Sequence, residues 1–221
     1  MVSVMAPDRT RTPPRQRATL VNTRSRETRL ALTRAALRLW SEGDFDAAYE
    51  ASTVADIAQA AGVTRGTFYF HFANKEAILI ELGSATIQAM IDQVEAGAAQ
   101  GVPLRSLSEQ VMASMARRVV RTPRAAALRA GSLGFAARPD GSTPASPRLS
   151  VAFETLLRYG KERDELSTRI DEEEAAAMLT AVTMEAIIRW GAGDRSASWL
   201  GQTLRDRVTV ILRGISDSDD S

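Results

Sequence analysis

Residues 53–75, TVADIAQAAGVTRGTFYFHFANK, leave this chain few ways to fold. Thr53 with Asp56 three residues later is the start signal of a helix, and Val54, Ile57, Ala58 and Ala61 recur at the spacing that gathers apolar side chains into one stripe. Gly62 ends that stretch, because a glycine takes the left-handed backbone conformation that a sharp turn between helices demands. Thr64 is placed to cap a second helix running from Arg65 to about His71. So short a helix is not stable alone. Phe68 and Phe72 must therefore be held against neighbouring helices, which leaves Arg65, Thr67, Tyr69 and His71 for another surface. Two short helices joined in this way predict a helix-turn-helix whose second helix fits the major groove of duplex DNA.

Composition narrows the alternatives. With no cysteine and one histidine, the chain can form no disulfide and none of the common zinc ligand sets, so neither metal nor cofactor is expected. Walker-type loops, G-x-S-x-G elbows and H-E-x-x-H pairs are missing, and the carboxylates at 172–174 have a sufficient role at a helix N-terminus; an enzyme is not expected. No apolar run reaches the length of a spanning helix, and the first residues lack the apolar segment of a secretory signal, so a soluble, cytoplasmic protein is expected. The net charge of +1 hides an asymmetry: residues 1–75 hold 11 Arg/Lys against 7 Asp/Glu, or +4, and the remainder holds 17 against 20, or −3. The basic end coincides with the helix-turn-helix, as attraction to phosphates requires.

Three regions are predicted. Residues 1–23, rich in Arg, Thr and Pro, read as a flexible basic arm, either reaching DNA or serving only as a solubilising tail. Residues 24–74 form the helix-turn-helix domain, its first helix from about Ser25 to Glu42 burying Leu32, Ala35, Ala36, Leu39 and Trp40. Residues 75–221 form a helical body. Asn74 caps a helix from Lys75 to about Ala96, followed by helices near Leu104–Arg121, Pro123–Phe135, Ser146–Arg163, Glu172–Trp190 and Ser196–Ile215, with a Pro/Gly/Ser loop over residues 137–147. The fold class is all-α, with about nine helices and no strand pattern.

From Val54 to Leu79 the string I-A-x-x-A-G-V-T-x-G-T-F-Y-x-H-F-x-N-K-E-x-I-L resembles the DNA-binding domain of the TetR family of transcriptional regulators, with Gly62, Thr67, Tyr69, His71 and Lys75 among the matching positions. One stretch departs from the family: DAAYEAS, residues 46–52, is longer than its usual loop. The resemblance implies a three-helix DNA-binding head, a helical body that binds ligand, and a homodimer made by the last two helices, reading two half-sites of a near-palindrome.

On that reading Arg65 is the candidate for a base contact, since a guanidinium donates two hydrogen bonds to guanine O6 and N7. Thr64 and Thr67 suit phosphate oxygens or a thymine methyl, and Gly66 keeps the helix face low. Tyr69 and His71 resemble the family's phosphate-contacting pair; Lys75 and Thr53 serve the same backbone, and Phe70 lies on an outward face. In the body, Met112, Met115, Phe135, Phe153 and Met178 are side chains of the kind that line an apolar cavity, with Glu185 and Arg189 as its polar anchor, although plain core is the alternative for each apolar one. The function expected is a ligand-responsive regulator, a repressor released from its operator by a small, apolar effector. A ligand-independent or architectural DNA-binding protein, or an activator, would use the same head.

Overall fold

The structure, a computed structural model, describes residues 14–136, 148–193 and 195–216, with the side chains of residues 14–22 and 134–136 excepted. It divides into two compact units, Met1–Ala73 and Asn74–Ser221. Among the described residues there are ten α-helices and no strand.

The first unit opens with α1, Pro14–Trp40. It starts at Pro14 rather than near Ser25, so Pro13-Pro14 marks a helix beginning: proline's fixed φ and missing N–H suit the first helical position, and Arg, Gln, Ala and Leu come next. The rest of the predicted arm, residues 1–13, lies outside the described residues. Leu32, Ala35, Ala36 and Trp40 form the buried stripe.

The longer stretch before the motif is not a loop but a helix, α2, Phe45–Ala51. Asp44 caps it, its carboxylate accepting from the Ala47 N–H at 2.8 Å. Phe45 and Tyr49, one turn apart, lie on one side and pack on Trp40 with ring centroids 6.2 and 4.9 Å away. The Trp40 Nε1–H, enclosed by those rings, donates to Ser52 Oγ at 2.7 Å. The head thus has four helices where three were expected, and the described residues hold ten instead of about nine.

Next come α3, Val54–Ala60, and α4, Arg65–His71. Thr53 and Asp56 close a capping box at the start of α3: Thr53 Oγ1 accepts from the Asp56 N–H at 3.2 Å, and the Asp56 carboxylate accepts from the Thr53 N–H at 2.8 Å. Those bonds hold the Asp56 carboxyl below the usual carboxylate range, the side-chain bond to Thr53 contributing most. After α3 the chain turns at Gly62, whose φ of +70° is the left-handed value its position predicts.

The second unit contains α5, Glu76–Ala99; α6, Leu104–Val119; α7, Arg124–Ala136; α8, Leu149–Glu162; α9, Glu172–Gly191; and α10, Ala197–Gly214. Asn74 does cap α5, accepting from the Ala77 N–H at 2.9 Å. Pro123 precedes α7 and gives its carbonyl to Ala127, while Asp171 caps α9 through the Glu173 and Glu174 N–H groups. The core of this unit includes Met90, Val94, Val111, Met112, Phe153, Leu157, Leu179 and Leu204. At Gly160 a Cβ would come within 2.6 Å of Leu104 and 2.7 Å of Leu166, so only glycine lets α8 approach that closely. The Pro/Gly/Ser loop predicted over residues 137–147 lies outside the described residues.

Candidate functional site

Helix α4 sorts its side chains sharply between two faces. Thr64 caps it, its hydroxyl accepting from the Thr67 N–H at 3.1 Å and sharing a hydrogen bond with the Thr67 hydroxyl at 2.9 Å. Phe68 is fully enclosed and Phe72 is 2% exposed. A seven-residue helix needs that anchorage, because its own hydrogen bonds cannot hold it. On the other side Arg65, Gly66, Tyr69 and Phe70 form a continuous strip in which every residue is exposed, Phe70 at 80% and Tyr69 at 51%. Thr64 is exposed at its start, and Thr67 and His71 lie half-buried along its edge. An aromatic ring left this open inside a packed head asks for an outside partner.

Gly66 has no internal reason to be glycine. Among the described residues, a Cβ there would meet only the Thr64 hydroxyl, at an ordinary 3.7 Å. Thr53 is exposed, and its hydroxyl is already engaged with Asp56. Lys75, half-buried, belongs to the second unit and precedes α5.

The imidazole of His71 is held below its ordinary value, first by burial and then by the positive charge of Arg29. Arg29 is a residue that sequence reasoning missed: its Nη1 donates to the His71 carbonyl at 2.9 Å and its guanidinium lies 4.5 Å from the centroid of the Phe72 ring. Nothing in the sequence distinguishes it from the other arginines of α1, since the contact joins residues 42 positions apart.

The seven residues predicted to line a ligand cavity do not share one surface. Met112, Met115 and Phe153 are in the core. Met178 is 46% exposed, and Glu185 and Arg189 lie with it on the outer face of α9, where Glu185 pairs with Arg189 at 3.6 Å and with Arg207 of α10. The buried three stand on α6 and α8, whereas the exposed three stand on α9. Phe135 sits in α7, its side chain outside the described set.

Two buried polar atoms in this unit, Thr183 Oγ1 and Trp190 Nε1, have no hydrogen-bond partner among the described residues. Both project from α9, seven residues apart and so along one side of it. Nothing in the sequence signals Thr183, as a threonine inside a helix usually turns its hydroxyl back to its own backbone. A cleft of about 450 Å³ between α6 and α10 is lined by Arg105, Glu109, Arg205, Asp206, Thr209, Val210 and Arg213, five of them charged. Among the described residues no group of carboxylates and histidine is placed to hold a metal, and no helix is long and apolar enough to cross a membrane.

Residues 32–82 match the model of the bacterial regulatory proteins of the tetR family. The A-factor receptor protein of Streptomyces griseus is 27% identical over 155 residues, 62% of this chain and 46% of the receptor, so the chain spans about half the length of that relative. The fold recurs in Thermus thermophilus FadR, a TetR-family transcriptional repressor solved with lauroyl-CoA, with a TM-score of 0.67, 22% identity, and 87% of this chain and 98% of that one covered. It recurs also in TylP, a TetR regulator of Streptomyces fradiae, with a TM-score of 0.60, 22% identity, and coverage of 87% and 88%. Residues 32–82, which hold the helix-turn-helix, thus match the DNA-binding domain of the TetR family of bacterial regulatory proteins, and the helical fold recurs in solved regulators of that family.

Proposed function

We propose that this regulator binds a near-palindromic operator as a homodimer and acts as a repressor that a small, largely apolar effector releases. The observation that carries the reading is the strip Arg65, Gly66, Tyr69 and Phe70, exposed along a helix whose opposite side is locked into the head. In a major groove Arg65 reads a base edge, Gly66 admits close approach, and Thr64, Thr67, Tyr69, His71, Lys75 and Thr53 hold phosphates. Two such helices read half-sites about 34–36 Å apart, or a multiple of that spacing.

Support for the dimer comes from α9 and α10, whose outer faces carry Met178, Ile188 and Val210 at 46%, 38% and 67% exposure. Large apolar side chains on two neighbouring helices fit an isologous four-helix contact. Support for an effector comes from the Thr183 hydroxyl and the Trp190 indole N–H, buried groups that a ligand's polar atoms would satisfy. A relative named as the receptor of A-factor, and a fold-mate holding lauroyl-CoA, point toward a molecule with an apolar portion. Its effect is a population shift: an effector that prefers the arrangement in which the two recognition helices are wrongly spaced lowers operator affinity by its differential affinity for the two states.

A second reading, a DNA-binding protein with a filled body and no effector, is favoured by the complete enclosure of Met112 and Phe153. Metabolites that raise the melting temperature and free the operator would exclude it.

The test of the main reading is selection of duplexes from a random pool, with two variants then compared on the selected site. R65A should lose affinity for that site by a factor of about 10–100 and relax preference at one base pair, whereas K75A should weaken all duplexes alike and flatten the salt dependence. Equal losses by R65A on selected and random DNA would refute the assignment of Arg65. No sequence preference in the unaltered protein would refute the function.

A further inference from the structure

The last carbonyls of an α-helix have no partner within the helix and carry the negative end of its dipole, so each helix of the motif needs a donor from elsewhere at its C-terminus. Helix α1 supplies both. Arg38 Nη2 donates to the carbonyl of Ala60, the last residue of α3, at 3.2 Å; Arg29 Nη1 donates to the carbonyl of His71, the last residue of α4, at 2.9 Å. The two arginines stand nine residues apart, about 13.5 Å along α1, enough to reach the ends of two successive helices.

The contact of Arg29 is the richer one. Its guanidinium also lies 4.5 Å from the centroid of the Phe72 ring, and Phe72 is the buried residue on which α4 ends. One planar side chain therefore grips the end of α4 at a carbonyl and at an aromatic face, a combination that a lysine cannot reproduce. Phe68 and Phe72 fix how deeply α4 sits, but apolar packing resists rotation about the helix axis only weakly. A directed hydrogen bond at the terminal carbonyl resists it well.

We propose that Arg29 is a positioning residue for DNA recognition: from α1 it sets the rotation of α4, and so aims Arg65 and Tyr69, without touching DNA itself. The proposal rests on the reading of α4 as the DNA-contacting helix. Arg29 then contributes to discrimination between sequences and nothing to the count of phosphates neutralised. The same arrangement keeps a cation beside the chain's one histidine, whose imidazole reports on it directly. The other titratable side chains of α4 are Arg65 and Tyr69.

The experiment compares the full-length protein with R29Q and R29K, on a selected duplex and on a random duplex, over a range of salt. R29Q should lose about tenfold in affinity for the selected duplex, the size of one charge-assisted hydrogen bond, with little change on random DNA and an unaltered salt slope. R29K should recover part of that loss. In parallel the His71 Cε1–H resonance is titrated without DNA: its midpoint should rise in R29Q and stay close to the unaltered protein's in R29K, which keeps the charge.

A salt slope reduced by about one in R29Q would mean that Arg29 meets a phosphate, which overturns a purely positioning role. Equal losses on both duplexes, or an unmoved His71 midpoint, would overturn it as well. If R65A abolishes preference while R29Q leaves it whole, the proposal alone fails. If the unaltered protein has no preference, the reading of α4 fails beneath it.

Discussion

At Gly62 the backbone has φ +70°, and a Cβ placed there would meet nothing within 4 Å among the described residues. The cost of a side chain is then conformational alone, so G62A should destabilise the protein by about 1 kcal/mol, read from the denaturant midpoint, without disturbing its neighbours. His71 offers a second prediction at this scale. Its imidazole is held below the ordinary 6.5 by burial and by Arg29, so the folded head prefers the neutral form. The unfolded chain then binds more protons as pH falls through that region: the stability contributed is present above about 6.5 and lost below it. Nuclear magnetic resonance should place the free protein's midpoint below 6.5, and a midpoint at or above that value would refute the placement of His71.

Helix α2 shows what one element adds. Its two aromatic residues and Trp40 form a cluster in which the rings of Phe45 and Tyr49 stack 6.1 Å apart, and Tyr49 is 1% exposed. Y49A should therefore cost about 3 kcal/mol, measured by urea unfolding, although it lies outside the helix-turn-helix proper. Sequence alone placed α3, the turn and α4 closely because each boundary there is set by a local device: a capping threonine, a glycine with positive φ, a second capping threonine. It missed α2 because Asp44, its cap, precedes only two turns, and the apolar pair Phe45 and Tyr49 matches a loop anchored at two points equally well. The start of α1 was missed for a related reason. Pro13-Pro14 opens helices as readily as it interrupts them, and the helix-forming residues after Pro14 decide between the two. Side-chain roles in the body were the least legible, since a three-and-four spacing says that a residue lies on a face but not whether a neighbouring helix covers it. Met178 and Leu179 are adjacent in sequence, yet one is half-open and the other enclosed.

For the molecule as a whole, the distribution of exposed apolar residues is the decisive property. Met178, Ile188 and Val210 stand open on α9 and α10, whereas the inner sides of the same helices contribute Leu179, Ala186, Leu204 and Val208 to the core. If the outer faces bind a second copy, I188E should yield a folded monomer in sedimentation velocity with unchanged helicity; a dimer that survives the substitution would move the interface elsewhere. Loss of the dimer should weaken operator binding far more than binding to a single half-site, because two linked contacts gain from effective concentration.

The aromatic nest around Trp40 has one more consequence. Trp40 is the only indole in the first unit, while Trp190 and Trp199 both belong to the second. It is shielded from water and its N–H is engaged by Ser52, conditions that give an emission spectrum different from that of an indole released into solvent. A chain in which Trp190 and Trp199 are replaced by phenylalanine would thus carry a native fluorophore for its N-terminal unit alone, and comparing its signal during heating with the loss of total helicity would show whether the two units melt as one body or in sequence.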